Sequence, residues 1–342
     1  MLSTQTTALA ERYAAHFAAA KPFKYVVMDD FLDEGAAARL LEQFPAFESG
    51  NARSEHGTLG NKSTVEKIRE LGPDYAELDD LVQSEAFLAL VGRITGIPRL
   101  LYDPWYFGGG THENRNTQDL DAHIDFNRHP VKHWDRRLNL IVYLNHEWED
   151  AWGGSLELHS DPHSIDDAVT TITPMFNRAV VFETTEHSWH AFPPIRLPPD
   201  KASLTRKSIA LYFYSDTRPV EEVADTHSTI YVDRPLPEHF TPGRVLSDDD
   251  LHDLRILMIR RDQHVTRLYG EITSLTKQLE DAHRHARRMG WAADPTTVTP
   301  SSSSDVVADT TQPGAPPLRA LARRLPESLK RPLRRLWYGA RD

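Results

Sequence analysis

Six short runs of β-branched and aromatic residues between Arg99 and Tyr214 limit the folds open to this chain. Turn-forming segments separate the runs, and the repeated helices that a βαβ sheet needs are missing between them. This spacing predicts an antiparallel sandwich or barrel, and a jelly roll fits best. The runs are LLYDPWYF, RLNLIVYLN, SLELH, VTTI, RAVVFE and KSIALYFY.

Mixed helical and extended segments precede these runs. Thr7 to Ala20 and Gly35 to Phe44 have helical composition, and Phe23 to Asp29 is rich in β-forming residues. Two further helix candidates lie between Val65 and Gly96. We therefore predict an α+β fold in which N-terminal helices flank the jelly roll.

After about Pro242 the sequence becomes helical. Apolar residues recur at intervals of three and four over roughly four heptads, and only Arg261 interrupts them. We predict a long helix or coiled coil over residues 245–290, and the heptads favour a homodimer through residues 251–282. The alternative is a helix that packs along one stripe of its own body. The apolar positions are Leu251, Leu254, Met258, Val265, Leu268, Ile272, Leu275 and Leu279.

The C-terminal end differs from the rest in composition. Residues 291–317 are rich in Ser, Thr and Pro and are predicted to form a disordered linker. Residues 318–342 carry eight Lys and Arg against two Asp and Glu. Arg clusters beside Leu, Trp and Tyr favour contact with an anionic membrane surface or a protein partner, and a plain solvated tail is the alternative.

Composition excludes several classes of function. The chain has no cysteine, so disulfides, thiolate zinc sites, iron-sulfur clusters and cysteine nucleophiles are ruled out. Its net charge of −11 argues against a nucleic-acid-binding surface. The chain has no apolar run of about 18 residues, and its first residues lack a signal-peptide layout, so we expect a cytoplasmic protein.

The segment Asp121-Ala122-His123-Ile124-Asp125 carries the sharpest chemical signal. Alternation along an extended strand places His123 and Asp125 on one face and Ile124 on the other. The later segment His187-Ser188-Trp189-His190 can supply a third ligand. Two imidazoles and one carboxylate suit ferrous iron and leave coordination positions open, whereas zinc usually takes a closed tetrahedron.

The last β-rich run predicts a pocket wall that bears an arginine. Alternation places Arg206, Ser208, Ala210 and Tyr212 on one face, and an apolar set on the other. A buried guanidinium needs an anionic partner, and a carboxylate matches its fork. In the run RLNLIVYLN, the same alternation directs Tyr143 away from the apolar face, towards the side of Arg206.

These motifs together resemble the iron- and 2-oxoglutarate-dependent oxygenases of the prolyl 4-hydroxylase type. The resemblance spans roughly Pro22 to Asp216. It is carried by the His123-x-Asp125 pair, NLIVYLNHEWEDAWGGSLELH, HSWH and the strand that begins at Arg206.

The resemblance implies a double-stranded β-helix in a domain of residues 1–240, with its core at about 99–216. It implies that His123, Asp125 and His190 hold Fe(II). It also implies that Arg206, with Tyr143 and Ser208 beside it, binds 2-oxoglutarate. His190 fits the pattern of the family better than His187, because it follows an aromatic residue and leads into a returning strand.

By the same resemblance, 2-oxoglutarate and O2 are consumed, and succinate and carbon dioxide are released as a substrate C–H bond is hydroxylated. Prolyl residues, free amino acids, sugars and natural products are all open as the substrate. A non-catalytic jelly-roll scaffold that acts through its coiled coil and basic tail is one alternative. A zinc hydrolase on a cupin-like barrel is another.

Overall fold

A computed structural model describes residues 1–50, 62–233, 236 and 239–288. The predicted linker 291–317 and basic tail 318–342 lie outside the described residues. The described helices are α1 (Thr4–Ala8), α2 (Ala10–Ala19), α3 (Glu34–Glu42), α4 (Pro73–Gln83), α5 (Glu85–Thr95) and α6 (Asp248–Arg288). The described strands are β1 (Tyr25–Met28), β2 (Ser63–Val65), β3 (Leu101–Tyr102), β4 (Gly110–Asn114), β5 (Leu120–Ile124), β6 (Asp135–Tyr143), β7 (Leu156–His159), β8 (Val169–Ile172), β9 (Arg178–Glu183), β10 (His190–Phe192), β11 (Arg206–Ser215) and β12 (Ile230–Tyr231).

The strands form two antiparallel sheets. The larger sheet has the order β1-β9-β6-β11-β4-β2, and β3 also pairs with β11. The smaller sheet has the order β12-β5-β10-β7-β8. Apart from the consecutive strands β7 and β8, the paired strands are distant in sequence, which is the arrangement expected of sandwich folds with long-range crossovers. The antiparallel prediction is confirmed.

The outer face of the larger sheet is covered by the N-terminal helices. Leu138, Leu140 and Val142 of β6 and Ile209, Leu211 and Phe213 of β11 point into one core together with the buried faces of α2 to α5. The predicted alternation of β6 and β11 is therefore confirmed, because each strand has one face under the helices. Ser84 caps α5 through a hydrogen bond from the Phe87 N–H to its hydroxyl.

A second core joins the two sheets. Tyr143, Val180 and Phe182 of the larger sheet pack with Leu156, Leu158 and Ile172 of the smaller one, all of them buried. The inner faces of β6 and β9 are thus covered by β7 and β8. This packing holds the larger sheet against the smaller one.

The segment LLYDPWYF, predicted to be a strand, differs most clearly from the structure. Only Leu101–Tyr102 is extended, because the Asp103 carboxylate accepts hydrogen bonds from the backbone N–H groups of Trp105 and Phe107 and folds the segment into a turn. Strand β3 pairs only with the end of β11, and β4 (Gly110–Asn114) pairs with the first half of β11.

The long C-terminal helix is confirmed, with bounds close to those predicted. Met1–Ser274 forms one compact unit, and a second unit begins at Leu275, within α6. Among the described residues, no helix is long and apolar enough to span a bilayer.

Asn177 links the segment before α3 to the start of β9. Its amide oxygen accepts a hydrogen bond from the Leu32 N–H (2.9 Å), and its amide nitrogen donates to the Leu32 carbonyl (2.7 Å). The residue is buried and has a φ of 57°, a left-handed conformation that asparagine tolerates better than most residues. One side chain therefore satisfies two buried backbone groups of a distant segment.

We expect Asn177→Ala to lower the free energy of unfolding by about 2–4 kcal/mol, because it leaves both Leu32 groups without partners and places a Cβ residue in the left-handed region. The melting temperature should fall by roughly 5–15 °C in a calorimetric scan. Asn177→Gly separates the two causes, since it keeps the backbone conformation and should melt above the alanine variant. Wild-type melting of Asn177→Ala would contradict this account.

Candidate metal centre

Two paired strands of the smaller sheet bring three ligand-type side chains together. β5 carries His123 and is followed at once by Asp125, while β10 begins at His190. The strands are antiparallel with His190 opposite His123, so their side chains share one face. Ile124, between the two β5 residues, is buried on the other side. The predicted alternation therefore places His123 and Asp125 as expected.

The three side chains form a tight cluster. One ligand atom from each lies within 4.8 Å of those of the other two. His123 Nε2 is 3.9 Å from Asp125 Oδ1, and His190 Nε2 is 3.5 Å from Asp125 Oδ2. The imidazole centroids are 4.1 Å apart, and both histidines are buried. A single ion placed among these atoms would touch all three.

Backbone carbonyls fix which imidazole nitrogen faces the cluster. His123 Nδ1 lies 2.9 Å from the Asp121 carbonyl oxygen, and His190 Nδ1 lies 2.9 Å from that of Ser188. A carbonyl only accepts, so each Nδ1 donates its hydrogen and each Nε2 presents a lone pair. This is the tautomer that a metal-binding histidine needs.

The environment also keeps these imidazoles neutral. Burial, with the neighbouring His190, lowers the pKa of His123 to about 3. Burial likewise lowers the pKa of His190. Metal ions bind neutral imidazole, so protons do not compete for either ring near neutral pH.

The carboxylate of Asp125 is oriented by two donors on β6. Asn139 Nδ2 donates to Asp125 Oδ2 at 2.7 Å, and Arg136 Nη2 lies 3.0 Å from the same oxygen. Burial alone would raise the pKa of Asp125, but the Arg136 charge, the two imidazoles and the Asn139 hydrogen bond lower it overall. The group is therefore a fixed anion.

Arg136 is the most deeply buried charged side chain of this centre. It is fully inaccessible to solvent, and its guanidinium lies 3.6 Å from the ring centroid of Tyr212 and 4.4 Å from that of Phe126. Its Nε and Nη2 also donate to Asn139 Oδ1. The arginine thus holds Asp125 directly and through Asn139.

Simple alternation could not find Arg136. An even-numbered residue of β6 should lie with Leu138 under the helices, yet Arg136 lies beside Asn139. The register of β6 against β11 shifts between Phe213 and Tyr214. Phe213 pairs with Leu138 and Tyr214 pairs with Arg136, so Arg137 is the extra residue of a β-bulge. This bulge reverses the alternation. Asn139 lies on the same face of β6 as Tyr143, the face predicted to line the pocket. A polar residue on that face is the sequence signal that could have identified Asn139 as part of the site.

Arg206 lies buried at the start of β11. Its Nε donates to the Gly154 carbonyl (2.6 Å) and its Nη2 to the Tyr143 hydroxyl (3.2 Å). The guanidinium is 4.3 Å from the ring centroid of Phe192. No carboxylate of the described residues lies within ion-pair distance, and burial lowers its pKa. A buried cation with this surrounding fits an anionic ligand.

Tyr143 and Ser208 lie on the same side as Arg206. They are directly opposite each other on β6 and β11, and both are buried. Burial raises the pKa of Tyr143, which is therefore a neutral hydrogen-bonding group. Three predicted binding residues are thus neighbours on the inner face of the larger sheet.

Two further histidines lie outside the cluster. His187 is exposed and outside the three-residue cluster. His129 is buried in an aromatic group with Trp105 and Tyr214, where its Nε2 lies 3.3 Å from Asp103, so it is a packed core histidine. A further neighbour of the cluster was not predicted: the ring of Tyr231 on β12 stacks on His123 at 5.1 Å.

The donor set fits ferrous iron. Two neutral imidazoles and one carboxylate meet from one side, and a facial set of three leaves positions open for other ligands. Both imidazoles and the carboxylate have the second-layer hydrogen bonds that orient metal ligands. Arg206, which has no acidic partner among the described residues, is suited to an anionic ligand.

Comparison with known proteins agrees with this geometry. Residues 110–214 match the family model described as the 2OG-Fe(II) oxygenase superfamily. This match confirms the family inferred from the sequence motifs. A search of curated proteins found no match.

Several solved structures are similar in fold. A prolyl hydroxylase from Trichoplax adhaerens, in complex with a hypoxia inducible factor oxygen degradation domain peptide fragment, is 16% identical, with a TM-score of 0.45 over 62% of this chain and 91% of the other. A prolyl 4-hydroxylase from Phytophthora capsici is 18% identical, with a TM-score of 0.41 over 83% and 87%. The epimerase SnoN from nogalamycin biosynthesis is 17% identical, with a TM-score of 0.40 over 70% and 92%.

We expect Asn139→Ala to weaken Fe(II) binding by roughly 10- to 100-fold, the usual effect of removing a hydrogen bond that orients a metal ligand. Anaerobic titration calorimetry with Fe(II) measures it. Asn145→Ala is the matched control, because Asn145 is an equally buried asparagine that binds the backbone of Lys207 and Pro174. An Asn139→Ala variant with unchanged iron affinity would show that Asp125 needs no such support.

Proposed function

Since residues 110–214 belong to the 2OG-Fe(II) oxygenase superfamily, we propose that this chain hydroxylates a C–H bond of an organic substrate at the centre formed by His123, Asp125 and His190. It is a 2-oxoglutarate-dependent dioxygenase, with Fe(II) as its metal and 2-oxoglutarate and O2 as co-substrates. The proposed products beside the hydroxylated substrate are succinate and carbon dioxide. The proposed fold of the catalytic core is a jelly roll of the double-stranded β-helix type.

The observation that carries this proposal is the pairing of a metal-type cluster with an uncompensated buried arginine. The two neutral imidazoles and the Asp125 carboxylate would hold Fe(II). Arg206 would bind the distal carboxylate of 2-oxoglutarate, and the Tyr143 hydroxyl would hold the guanidinium in place for it. Ser208, buried opposite Tyr143, would line the same pocket.

When bound, the iron and its co-substrate supply the oxidising power that removes a hydrogen from an unactivated carbon. The residues of this chain contribute binding, orientation and exclusion of water. Arg136 and Asn139 keep Asp125 anionic and fixed in direction. The backbone carbonyls of Asp121 and Ser188 keep each Nε2 free of its proton.

The proposed substrates are prolyl or other amino-acid groups, sugars and natural products. The solved structures that align with part of this chain include one named as a prolyl hydroxylase and one named as an epimerase from nogalamycin biosynthesis. Substrate contacts in folds of this kind come from loops rather than from the sheet, so the scaffold is compatible with each class.

The non-catalytic scaffold is disfavoured by the intact donor set. A binding module has no need for two imidazoles with defined tautomers or for a carboxylate held by two buried donors. A zinc hydrolase would share the three ligands, but it would have no use for the anion-binding Arg206. The predicted contact of residues 318–342 with an anionic membrane or protein partner stays a prediction.

We expect the protein to convert 2-oxoglutarate to succinate in the presence of Fe(II) and O2, with the rate raised by the correct member of a panel of prolyl peptides, amino acids, sugars and natural products. Succinate is measured by mass spectrometry in air and under nitrogen. Asp125→Ala should abolish both iron binding and turnover, because the remaining imidazoles lack the anionic ligand.

The surface variant Asp29→Ala is the control, since it removes an exposed carboxylate paired with Arg178 far from the centre in sequence. Activity with Zn(II) in the absence of O2 would instead identify a hydrolase. Full succinate production by Asp125→Ala would refute the proposed centre.

We expect Arg206→Ala to raise the KM for 2-oxoglutarate by about 10- to 100-fold, the cost of losing a charged hydrogen-bonding group to a carboxylate. Arg206→Lys should recover only part of the affinity, because an ammonium cannot form the paired contact. The neighbouring Lys207→Ala is the control: Lys207 bonds to Glu113 on the other side of the strand. An unchanged KM in Arg206→Ala would place the co-substrate elsewhere.

A further inference from the structure

Helix α6 contacts its own body mainly through residues that flank the predicted heptad positions. Between Leu254 and Glu271, the half-buried residues of α6 are Leu254, Leu257 and the polar residues Arg260, His264, Arg267 and Glu271. Arg260 forms a two-pronged ion pair with Asp119 at 2.6 and 2.8 Å. Arg267 lies 4.6 Å above the ring of Tyr231. The attachment is therefore mainly ionic and aromatic.

The apolar stripe of α6 lies beside these contacts. We define the α6 stripe as the exposed apolar heptad positions Leu251, Met258, Val265, Leu268, Ile272, Leu275 and Leu279; the heptad residue Leu254 is half-buried. Their exposed fractions lie between 39% and 67%. The helix therefore contacts its own body, while most of its apolar heptad residues stay exposed.

We propose that the α6 stripe binds the α6 stripe of a second copy of this chain, forming a homodimer. The heptad spacing itself selects the partner: apolar residues at alternating intervals of three and four pack as knobs into a helix with the same spacing. The stripe spans four heptads, about 42 Å of helix at 1.5 Å per residue, which reaches the length that stable coiled coils need. A membrane surface or an unrelated globular partner requires no such strict register.

Arg261 indicates the orientation of the pair. It occupies the one core position of the stripe that is not apolar, and 59% of its side chain is exposed. In a parallel dimer Arg261 would face Arg261 of the other copy, which is unfavourable for like charges in an apolar seam. An antiparallel pair centred on Val265 and Leu268 places Arg261 opposite Ile272 of the other copy, so that the two Arg261 charges are kept apart. We therefore expect the antiparallel arrangement.

The oligomeric state of the full chain tests the dimer. Sedimentation equilibrium of the purified protein should give the dimer mass at micromolar concentration. Leu268→Glu combined with Ile272→Glu should shift it to monomer, with at least a 100-fold higher dissociation constant. Ile259→Glu is the matched control, because Ile259 is an apolar α6 residue of similar exposure, 51%, off the stripe. It should leave the dimer intact.

A wild-type protein that stays monomeric would overturn the proposal. A dimer that persists in the Leu268→Glu and Ile272→Glu variant would overturn it as well, since association would then use another surface. Circular dichroism of both variants checks that the helix content is retained, which is expected because every changed side chain is exposed.

Cysteine cross-linking tests the orientation without background, because the chain contains no cysteine. A disulfide requires Cα atoms within about 7 Å. Leu275→Cys alone should not cross-link in the antiparallel pair, whereas the double variant Met258→Cys, Leu275→Cys should cross-link efficiently upon mild oxidation. Efficient cross-linking of Leu275→Cys alone would overturn the antiparallel orientation.

Discussion

The buried ion pair between Asp125 and Arg136 is the contact on which the metal centre depends. A lone carboxylate at this depth would take up a proton and cease to be a useful ligand. The guanidinium prevents this at 3.0 Å, and the rings of Phe126 and Tyr212 pack against the guanidinium. A charged group is thus placed in the interior at a cost that the surrounding aromatic and amide contacts offset. The residues of β5 and β10 can hold a metal ion only while the Asp125 carboxylate stays ionised.

Much of the fold could be predicted because local pattern and packing agree. The alternating residues of β6 and β11 separate into a helix-covered face and a site-facing one, as their polarity indicates. The N-terminal helices follow their apolar spacing and their capping residues. The segment after Leu100 differs, because Asp103 forms side-chain hydrogen bonds to the backbone that outweigh the β propensity of Trp105 and Tyr106. Pairing partners such as β4 beside β11 depend on contacts between segments far apart in sequence, which propensity does not encode.

The residues of the candidate site also divide into those that the sequence predicts and those that it does not. His123 and Asp125 could be predicted because one strand carries both, and their separation of two residues puts them on one face. Arg206 and Tyr143 followed from alternation in two long strands. Arg136 could not be found, since a single inserted residue in β6 reverses the side to which it points. Tyr231 was missed because β12 contains only two residues and provides no pattern. Neighbouring segments determine where short strands and bulges form, so the periodicity of the sequence does not reveal them.

The two faces of α6 respond to solvent in opposite ways. Its contacts to Asp119 and Asp121 are between partly exposed charges, and added salt screens such pairs within about a Debye length. Its other face is apolar, and strongly hydrated anions such as sulfate favour the burial of that kind of surface. High ionic strength therefore loosens the helix from the strand that carries His123 while promoting the association of apolar faces. The attachment of α6 to β5, the strand that carries His123, therefore depends on the salt content of the medium.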